Sequence, residues 1–450
     1  MIRELLNLLL ICFIVSNMPC QGQNKWKSSK NKIVIPFELT HNLIIVNVKV
    51  NDVKLNMLLD TGSDKNLLFS FPENDSIIFY ETRKVKINGL GNGESLEAYV
   101  SNNNHMEVKG YSDDKFQILL ITEQNINLVN KLGLPINGII GASFFKDYLV
   151  EINYQKKNIY LYKDSKKILS KKASKYIEKE VKIVGDKPYF DVFAKVNDGI
   201  QKKYRLLVDT GLGDGLWLFE NDTIKCNKLY INDVLGRGLG GDIEGKKARV
   251  EALDLNGFIL KEAIVAYPDS IAFNQLDITK GRNGSLGGQI MKRFNWFFDY
   301  NNKKFYFKKN KYFDDPFNYN MSGIEVQHMG LTWVSEKVGI SNENSSYANS
   351  LNSSTSTKNT LIFDEHTEFK YNYKLKPIFE IYAIRPESPA ALAGLKVGDV
   401  IYSINGKKAF DYTIQKITDL FQSDEGRVIK IEVQRKGQIM SFKFKLQKII

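Results

Sequence analysis

Two segments of the chain repeat each other, and this repeat restricts the possible folds more than any other feature of the sequence. Each copy contains apolar residues followed by Asp-Thr-Gly, at 57–62 and 206–211. Three further landmarks follow each aspartate at nearly equal distances: a glycine-rich segment, an apolar segment that ends in glycine, and a turn before an alternating aromatic strand. They lie at 89–93, 137–141 and 153–162 in the first copy and at 238–241, 283–287 and 299–307 in the second. Four landmarks in one order predict a duplicated domain.

Both copies have the sequence pattern of β-structure. Residues 43–50 and 189–196 are strand-like, turn residues follow, and a second strand then leads into each aspartate. Helical periodicity is scarce in both copies. We therefore predict a mainly β chain with lobe 1 at 31–165 and lobe 2 at 178–310.

The paired Asp-Thr-Gly segments predict acid–base chemistry. A strand that ends in this tripeptide places a carboxylate in a tight turn, and an approximate two-fold axis would bring Asp60 and Asp209 together. Two such carboxylates at close range share one proton, because both cannot ionise. The charged member can take a proton from water and the protonated member can donate one to a carbonyl oxygen. We expect support for this pair from flanking residues of both turns, namely Thr61, Gly62, Ser63, Thr210 and Gly211.

With these motifs the chain resembles the bacterial exported aspartyl proteases, which have two retropepsin-like or pepsin-like lobes and a C-terminal PDZ domain. The matching motifs are at 58–63 and 207–211, and a second family signature matches 139–141 well and 285–287 less well. The resemblance implies a bilobal acid-protease fold, catalytic roles for Asp60 and Asp209, a peptide or unfolded protein as substrate, and no metal or organic cofactor. It also implies flap glycines, which map onto Gly89, Gly91, Gly238 and Gly240.

The second copy departs from the family pattern. Ser63 offers the hydroxyl that the family uses to hydrogen-bond its aspartate, whereas Leu212 occupies this position in the second copy. Ser285 replaces an apolar residue of the second signature. Two hypotheses follow: an aspartic endopeptidase with a working dyad, or an inactive protease-like protein that binds peptides or acts as a scaffold.

The C-terminal third contains Ser-Pro-Ala-x-x-Ala-Gly-Leu-x-x-Gly-Asp-x-Ile at 388–401, followed by Ile-Asn-Gly at 404–406 and an apolar helical face at 414–421. With this signature it resembles a PDZ domain of the bacterial protease type, which we expect at 320–450. A segment dominated by Ser, Asn and Thr at 341–360 cannot bury a core, so we expect a flexible insertion there.

A PDZ domain adds a peptide as an extra strand and captures its terminal carboxylate with backbone amides. The resemblance maps this carboxylate loop onto Ser322, Gly323, Ile324 and Glu325, with a C-terminal peptide as the ligand. The alternative is a packing module whose groove is blocked.

Composition and the N-terminal segment limit the remaining possibilities. The net charge of +12 comes without a nucleic-acid recognition motif, so we predict no nucleic-acid partner. No apolar run reaches the ~18–20 residues of a membrane span. Residues 1–22 are typical of an export signal, which predicts a periplasmic or secreted protein; Cys20 is the alternative, as a lipidated cysteine. One chain supplies both aspartates, so the chemistry requires no dimer.

Overall fold

The computed structural model describes residues 25–70, 76–87, 96–121, 136–196, 199–238, 241–273, 278–339 and 369–450. These residues belong to two compact units, the first extending to Tyr319 and including Lys448–Ile450, the second comprising Asn320–Gln447. The predicted signal at 1–22 and the insertion at 341–360 lie outside the described residues. Of the helices that are described, none is long and apolar enough to cross a membrane.

Lobe 1 of the first unit is a β-domain whose strands are, in chain order, β1 (Lys32–Pro36), β2 (Glu38–Thr40), β3 (Leu43–Val50), β4 (Val53–Leu59), β5 (Leu67–Leu68), β6 (Arg83–Ile87), β7 (Leu96–Val108), β8 (Tyr111–Ile121), β9 (Gly138–Ile140), β10 (Leu149–Asn153) and β11 (Asn158–Tyr162). Eight of them form one sheet in the order β2-β3-β4-β9-β5-β8-β7-β6, and β3 also pairs with β7. Leu58, Ile136 and Ile139 belong to its buried core. A 3₁₀ helix lies at Ala142–Phe145, and α1 (Ser165–Lys172) and a second 3₁₀ helix at Ala173–Lys175 follow.

Lobe 2 repeats this plan with β12 (Ile177–Glu180), β13 (Lys182–Val184), β14 (Lys187–Lys195), β15 (Gln201–Val208), β16 (Leu216–Leu218), β17 (Ile231–Gly238), β18 (Gly241–Arg249), β19 (Ala252–Leu255), β20 (Phe258–Lys261), β21 (Ile264–Pro268), β22 (Gly284–Leu286), β23 (Phe294–Asp299) and β24 (Lys304–Lys309). A 3₁₀ helix lies at Ser270–Ala272 and α2 at Gly288–Met291. The main sheet has the order β17-β18-β21-β16-β22-β15-β14-β19-β20, with β13 paired to β14.

The two lobes share a six-stranded sheet of order β1-β11-β10-β23-β24-β12. Three of its strands come from each lobe. Counted from the two edges, β1 corresponds to β12, β11 to β24 and β10 to β23, as an approximate two-fold axis requires. At the centre, Val150 of β10 pairs with Phe298 of β23. Every residue of β23 is buried, and aromatic rings from β23 and β24 pack closely, as Trp296 does on Phe307 with centroids 4.8 Å apart. This buried sheet fixes the two lobes to each other.

The second unit contains β25 (Ile324–Gly339), β26 (Phe369–Ile384), α3 (Pro389–Leu392), β27 (Val400–Ile404), β28 (Lys407–Lys408), a 3₁₀ helix at Ala409–Asp411, α4 (Ile414–Phe421), β29 (Val428–Arg435) and β30 (Gln438–Lys445). The strand order is β25-β26-β27-β29-β30, with β28 paired to β27. The sequence motif sets the local structure, since the Ser388 hydroxyl caps α3 by accepting from the Ala391 amide. Arg435 holds the Asp399 carboxylate of the Gly-Asp pair through two nitrogens, at 2.6 and 2.7 Å.

One predicted boundary differs from the structure. We expected the C-terminal domain to continue to residue 450, but Lys448–Ile450 belong to the first unit. The amides of Ile449 and Ile450 donate to the Tyr319 hydroxyl at 2.5 and 3.1 Å, and Ile450 is buried. These contacts explain the difference, since a buried terminal residue stays with the core that covers it.

Candidate active site

Parallel strand pairs deliver both aspartates in the same way. In lobe 1, β4 runs parallel to β9, and the Asp60 amide donates to the Ile140 carbonyl at 2.9 Å. In lobe 2, β15 runs parallel to β22, and the Asp209 amide donates to the Leu286 carbonyl, also at 2.9 Å. The second glycine signature of each copy is thus the strand beside the aspartate, which explains why the two motifs occur together.

The threonines lock the two turns together across the approximate two-fold axis. The Thr61 hydroxyl donates to the Val208 carbonyl at 2.6 Å and accepts from the Thr210 amide at 3.0 Å. In return, the Thr210 hydroxyl donates to the Leu59 carbonyl at 2.8 Å and accepts from the Thr61 amide at 3.0 Å. Both threonines are buried, so each of these groups needs its partner.

The glycines allow the two carboxyl groups to approach. The Gly62 amide donates to Asp60 at 2.7 Å, and the Gly211 amide donates to Asp209 at 3.0 Å. A Cβ on Gly62 would lie 2.7 Å from an Asp209 oxygen, and one on Gly211 would lie 2.3 Å from the Asp60 carboxyl carbon. Any side chain at either position would therefore push the opposite carboxyl group away.

Asp60 and Asp209 each lie against the glycine of the opposite turn, and the pKa of each is raised. Burial is the main cause for Asp60, and the charge of Asp209 adds to it, so that the pKa reaches about 8. Burial also raises the pKa of Asp209, but the Arg282 guanidinium and Lys187 oppose this increase. The Arg282 guanidinium therefore favours the ionised form of Asp209, and the raised pKa values favour a proton shared by the pair.

Arg282 is a residue that the sequence analysis missed, although the repeat contains the signal for it. It lies three residues before Ser285. The equivalent residues of lobe 1 are Ile136 and Ile139, which are also three residues apart. Its guanidinium donates to the Ser285 hydroxyl at 2.6 Å and stacks over the Phe219 ring at 5.1 Å. The aliphatic pair of the lobe 1 core is thus replaced in lobe 2 by a hydrogen-bonded polar pair, which explains Ser285.

The expected role of the Ser63 hydroxyl is wrong. It donates to the Lys65 carbonyl at 2.8 Å and not to Asp60. What the two lobes share at this position is the backbone: the Ser63 carbonyl accepts from Ala142 at 2.8 Å, and the Leu212 carbonyl accepts from Gly288 at 2.6 Å. A backbone contact does not depend on the side chain, so Leu212 leaves the geometry of lobe 2 intact.

One of the four predicted flap glycines, Gly238, lies among the described residues. Gly238 ends β17 and pairs with Gly241 at the start of β18, and Gly240 lies outside the described residues. Gly89 and Gly91 also lie outside them, between the paired strands β6 and β7. Both lobes therefore have a pair of antiparallel strands at the place in the repeat where the resemblance implies a flap.

The predicted carboxylate loop lies at the start of the second unit. Ser322 and Gly323 precede β25, and Ile324 and Glu325 are its first two residues. The backbone φ of Gly323 is +80°, and a Cβ there would lie 2.2 Å from the side chain of Ser388. The position therefore requires glycine.

Comparisons with known proteins find one matching family model and similar solved structures. A family model described as PDZ domain matches residues 380–435. Among solved structures, an aspartic proteinase from Irpex lacteus is similar to this chain with a TM-score of 0.40 and 12% identity, over 64% of this chain and 100% of that chain. A search of curated proteins finds no match. The predicted fold class is confirmed in its main features: the described chain is mainly β, with two β lobes of repeated plan and a PDZ domain in its C-terminal part.

Proposed function

We propose that the protein is an aspartic-type endopeptidase that hydrolyses peptide bonds with a water molecule activated between Asp60 and Asp209. The pair itself is the observation that supports this proposal most. Two carboxyl groups, each on its own Asp-Thr-Gly turn, lie against the glycine of the opposite turn, and the pKa of both is raised. Two carboxyl groups that share one proton can act as acid and base at once.

The surroundings of the pair support an assignment of roles. Asp209 carries the charge because Arg282 favours its ionised form, so it takes a proton from the attacking water. Asp60 keeps its proton up to about pH 8 and donates it to the carbonyl oxygen under attack. The amides of Gly62 and Gly211 keep the two carboxyl groups in position while the proton moves.

The substrate in this proposal is an extended segment of a peptide or unfolded protein, covered by the hairpins of the two lobes. Export by residues 1–22 to the periplasm or the medium is part of the proposal and is supported by the sequence alone. The PDZ domain would tether a substrate or partner.

The alternative, an inactive scaffold, has less support. It would gain weight from carboxyl groups beyond hydrogen-bond reach or from a distorted second turn. Asp60 and Asp209 instead each lie against the glycine of the opposite turn, and Leu212 keeps the backbone contact that the two turns share.

The test is digestion of unfolded casein by the chain from residue 23, between pH 3 and pH 8, with mass spectrometry of the products. Asp60→Asn and Asp209→Asn should each abolish the new peptide ends, whereas Asp222→Asn, at an exposed position of lobe 2, should not. Cleavage that persists in either dyad variant would refute the assignment. If neither the wild type nor any variant cleaves casein, the inactive scaffold would be favoured.

A further inference from the structure

The loop before β25 has its backbone amides bound within the second unit. The amides of Ser322 and Gly323 donate to the Asn320 side-chain oxygen at 3.0 and 3.2 Å. The Ile324 amide donates to the Ser322 hydroxyl at 3.0 Å, and the Met321 amide donates to the Phe421 carbonyl at the end of α4, also at 3.0 Å. These amides are the ones that a PDZ carboxylate loop offers to its ligand.

Asn320 also occupies the first ligand position on the strand edge. The Arg385 amide donates to the Gly323 carbonyl at 2.8 Å, so the next residue, Ile324, directs its amide and carbonyl away from β26. The Asn320 side-chain nitrogen donates to that Ile324 carbonyl at 2.7 Å. Asn320 and Ser322 are both buried, so the contacts are shielded from water.

The Asn320 carboxamide therefore reproduces the hydrogen bonds of a peptide terminus. A peptide carboxylate would accept from the loop amides, and the last peptide N–H would donate to the strand carbonyl. The oxygen of Asn320 supplies the first set of contacts and its nitrogen supplies the second. A terminal carboxylate could enter only after this side chain had left.

The edge of β25 beyond Ile324 has different properties. Among the described strands, β25 pairs with β26 alone, so its other edge offers unpaired backbone groups. Met329, Leu331 and Trp333 are each more than half exposed along it. Leu331 lies opposite Pro377 and Trp333 opposite Leu375, so one face of this ribbon is apolar. An extended apolar segment would find both hydrogen-bond partners and side-chain contacts here.

We propose that Asn320 fills the carboxylate position of the second unit with its own side chain, so that this unit binds internal, extended apolar segments of other polypeptides and does not select free C-termini. The binding strand is β25 from Val326 onwards. This preference would suit recognition of unfolded chains, which expose many internal segments but only one terminus.

The experiment uses the chain from residue 23 with Asp60→Asn, which prevents cleavage from confusing the result. It is panned against two random dodecamer phage libraries, one displayed with a free C-terminus and one flanked by Gly-Ser linkers, and selected peptides are synthesised as acids and as amides. We expect ligands from the linker-flanked library, with acid and amide binding within twofold. Asn320→Ala should gain a preference for acids of at least tenfold.

Two further variants keep the test interpretable. Asn320→Asp retains acceptor oxygens for the loop amides and should not gain the preference, even if Asn320→Ala unfolds. Asn318→Ala, two residues away and exposed, is the matched control and should behave as the parent. A parent chain that prefers acids tenfold, an Asn320→Ala variant that folds but gains no preference, or a parent that selects nothing from the linker-flanked library would each overturn the proposal.

Discussion

Loss of the proton from Asp60 should make the first unit less stable as the pH rises. Asp60→Asn should remove this pH dependence. Asparagine has nearly the same shape as a protonated aspartate and carries no charge, so it can keep the contact with Asp209. The wild-type side chain loses its proton in the unfolded chain near its ordinary pKa of 3.8, but in the folded chain only near 8. Between these values Asp60 is protonated in the native state and ionised in the unfolded state.

The magnitude follows from proton linkage. A raised native pKa stabilises the fold fully below about pH 4, and this contribution is lost as the pH rises towards 8. Each pH unit in this range lowers the free energy of unfolding by at most about 1.4 kcal/mol, so the loss over the range should reach several kcal/mol. The difference between Asp60→Asn and wild type should therefore grow steadily from pH 4 to pH 8, with the variant the more stable protein at the upper end.

Urea unfolding at several pH values measures this difference. Trp333 belongs to the second unit and the other three tryptophans to the first, so a Trp333→Phe background makes the fluorescence report on the first unit alone. Asp222→Asn, at an exposed position, controls for the loss of one charge. Curves of stability against pH that run parallel for wild type and Asp60→Asn would refute the reasoning.

Three more substitutions test other parts of the site. Arg282→Met removes the cation that favours the ionised form of Asp209, so the pKa of Asp209 should rise. The acid limb of the profile of kcat/KM against pH should then move to higher pH. Ile136→Met, at the equivalent position of lobe 1, is the control and should leave that limb in place. Thr210→Val removes the hydroxyl that donates to Leu59, so urea unfolding should show a loss of at least about 2 kcal/mol that Thr210→Ser largely avoids; equal losses in both variants would contradict this. Gly211→Ala places a methyl group 2.3 Å from the opposite carboxyl carbon and should lower peptide cleavage by about 100-fold or more; unchanged cleavage would show that the carboxyl groups tolerate displacement.

The sequence predicts the local strands of this protein well. The strand expected at 43–50 is β3, and the aromatic segments at 159–162 and 305–307 lie in β11 and β24. Alternation of apolar residues is a local signal that fixes which face of a strand is buried. It does not identify the partner strand, so the sheet shared between the lobes could not be predicted from it.

The candidate site, too, could be predicted only in part from the sequence. Repetition of Asp-Thr-Gly was enough to predict that Asp60 and Asp209 would meet, because the spacing of whole landmarks carries that information. The partner of the Ser63 hydroxyl was predicted wrongly, because a short turn offers a nearer acceptor in Lys65. The influence of Arg282 depends on a contact across strands, and only a direct comparison with Ile136 in the other copy would have indicated it.

The central claim is that Asp60 and Asp209 act as one catalytic unit. The most direct measurement is kcat for one peptide from the casein digest, compared among wild type, Asp60→Asn, Asp209→Asn and the double variant. Groups that act as a unit are not additive, so each single substitution should lower kcat at least about 1,000-fold and the double variant no further. A single variant that keeps a tenth of the wild-type rate, or a double variant whose loss is the product of the two single losses, would contradict the account.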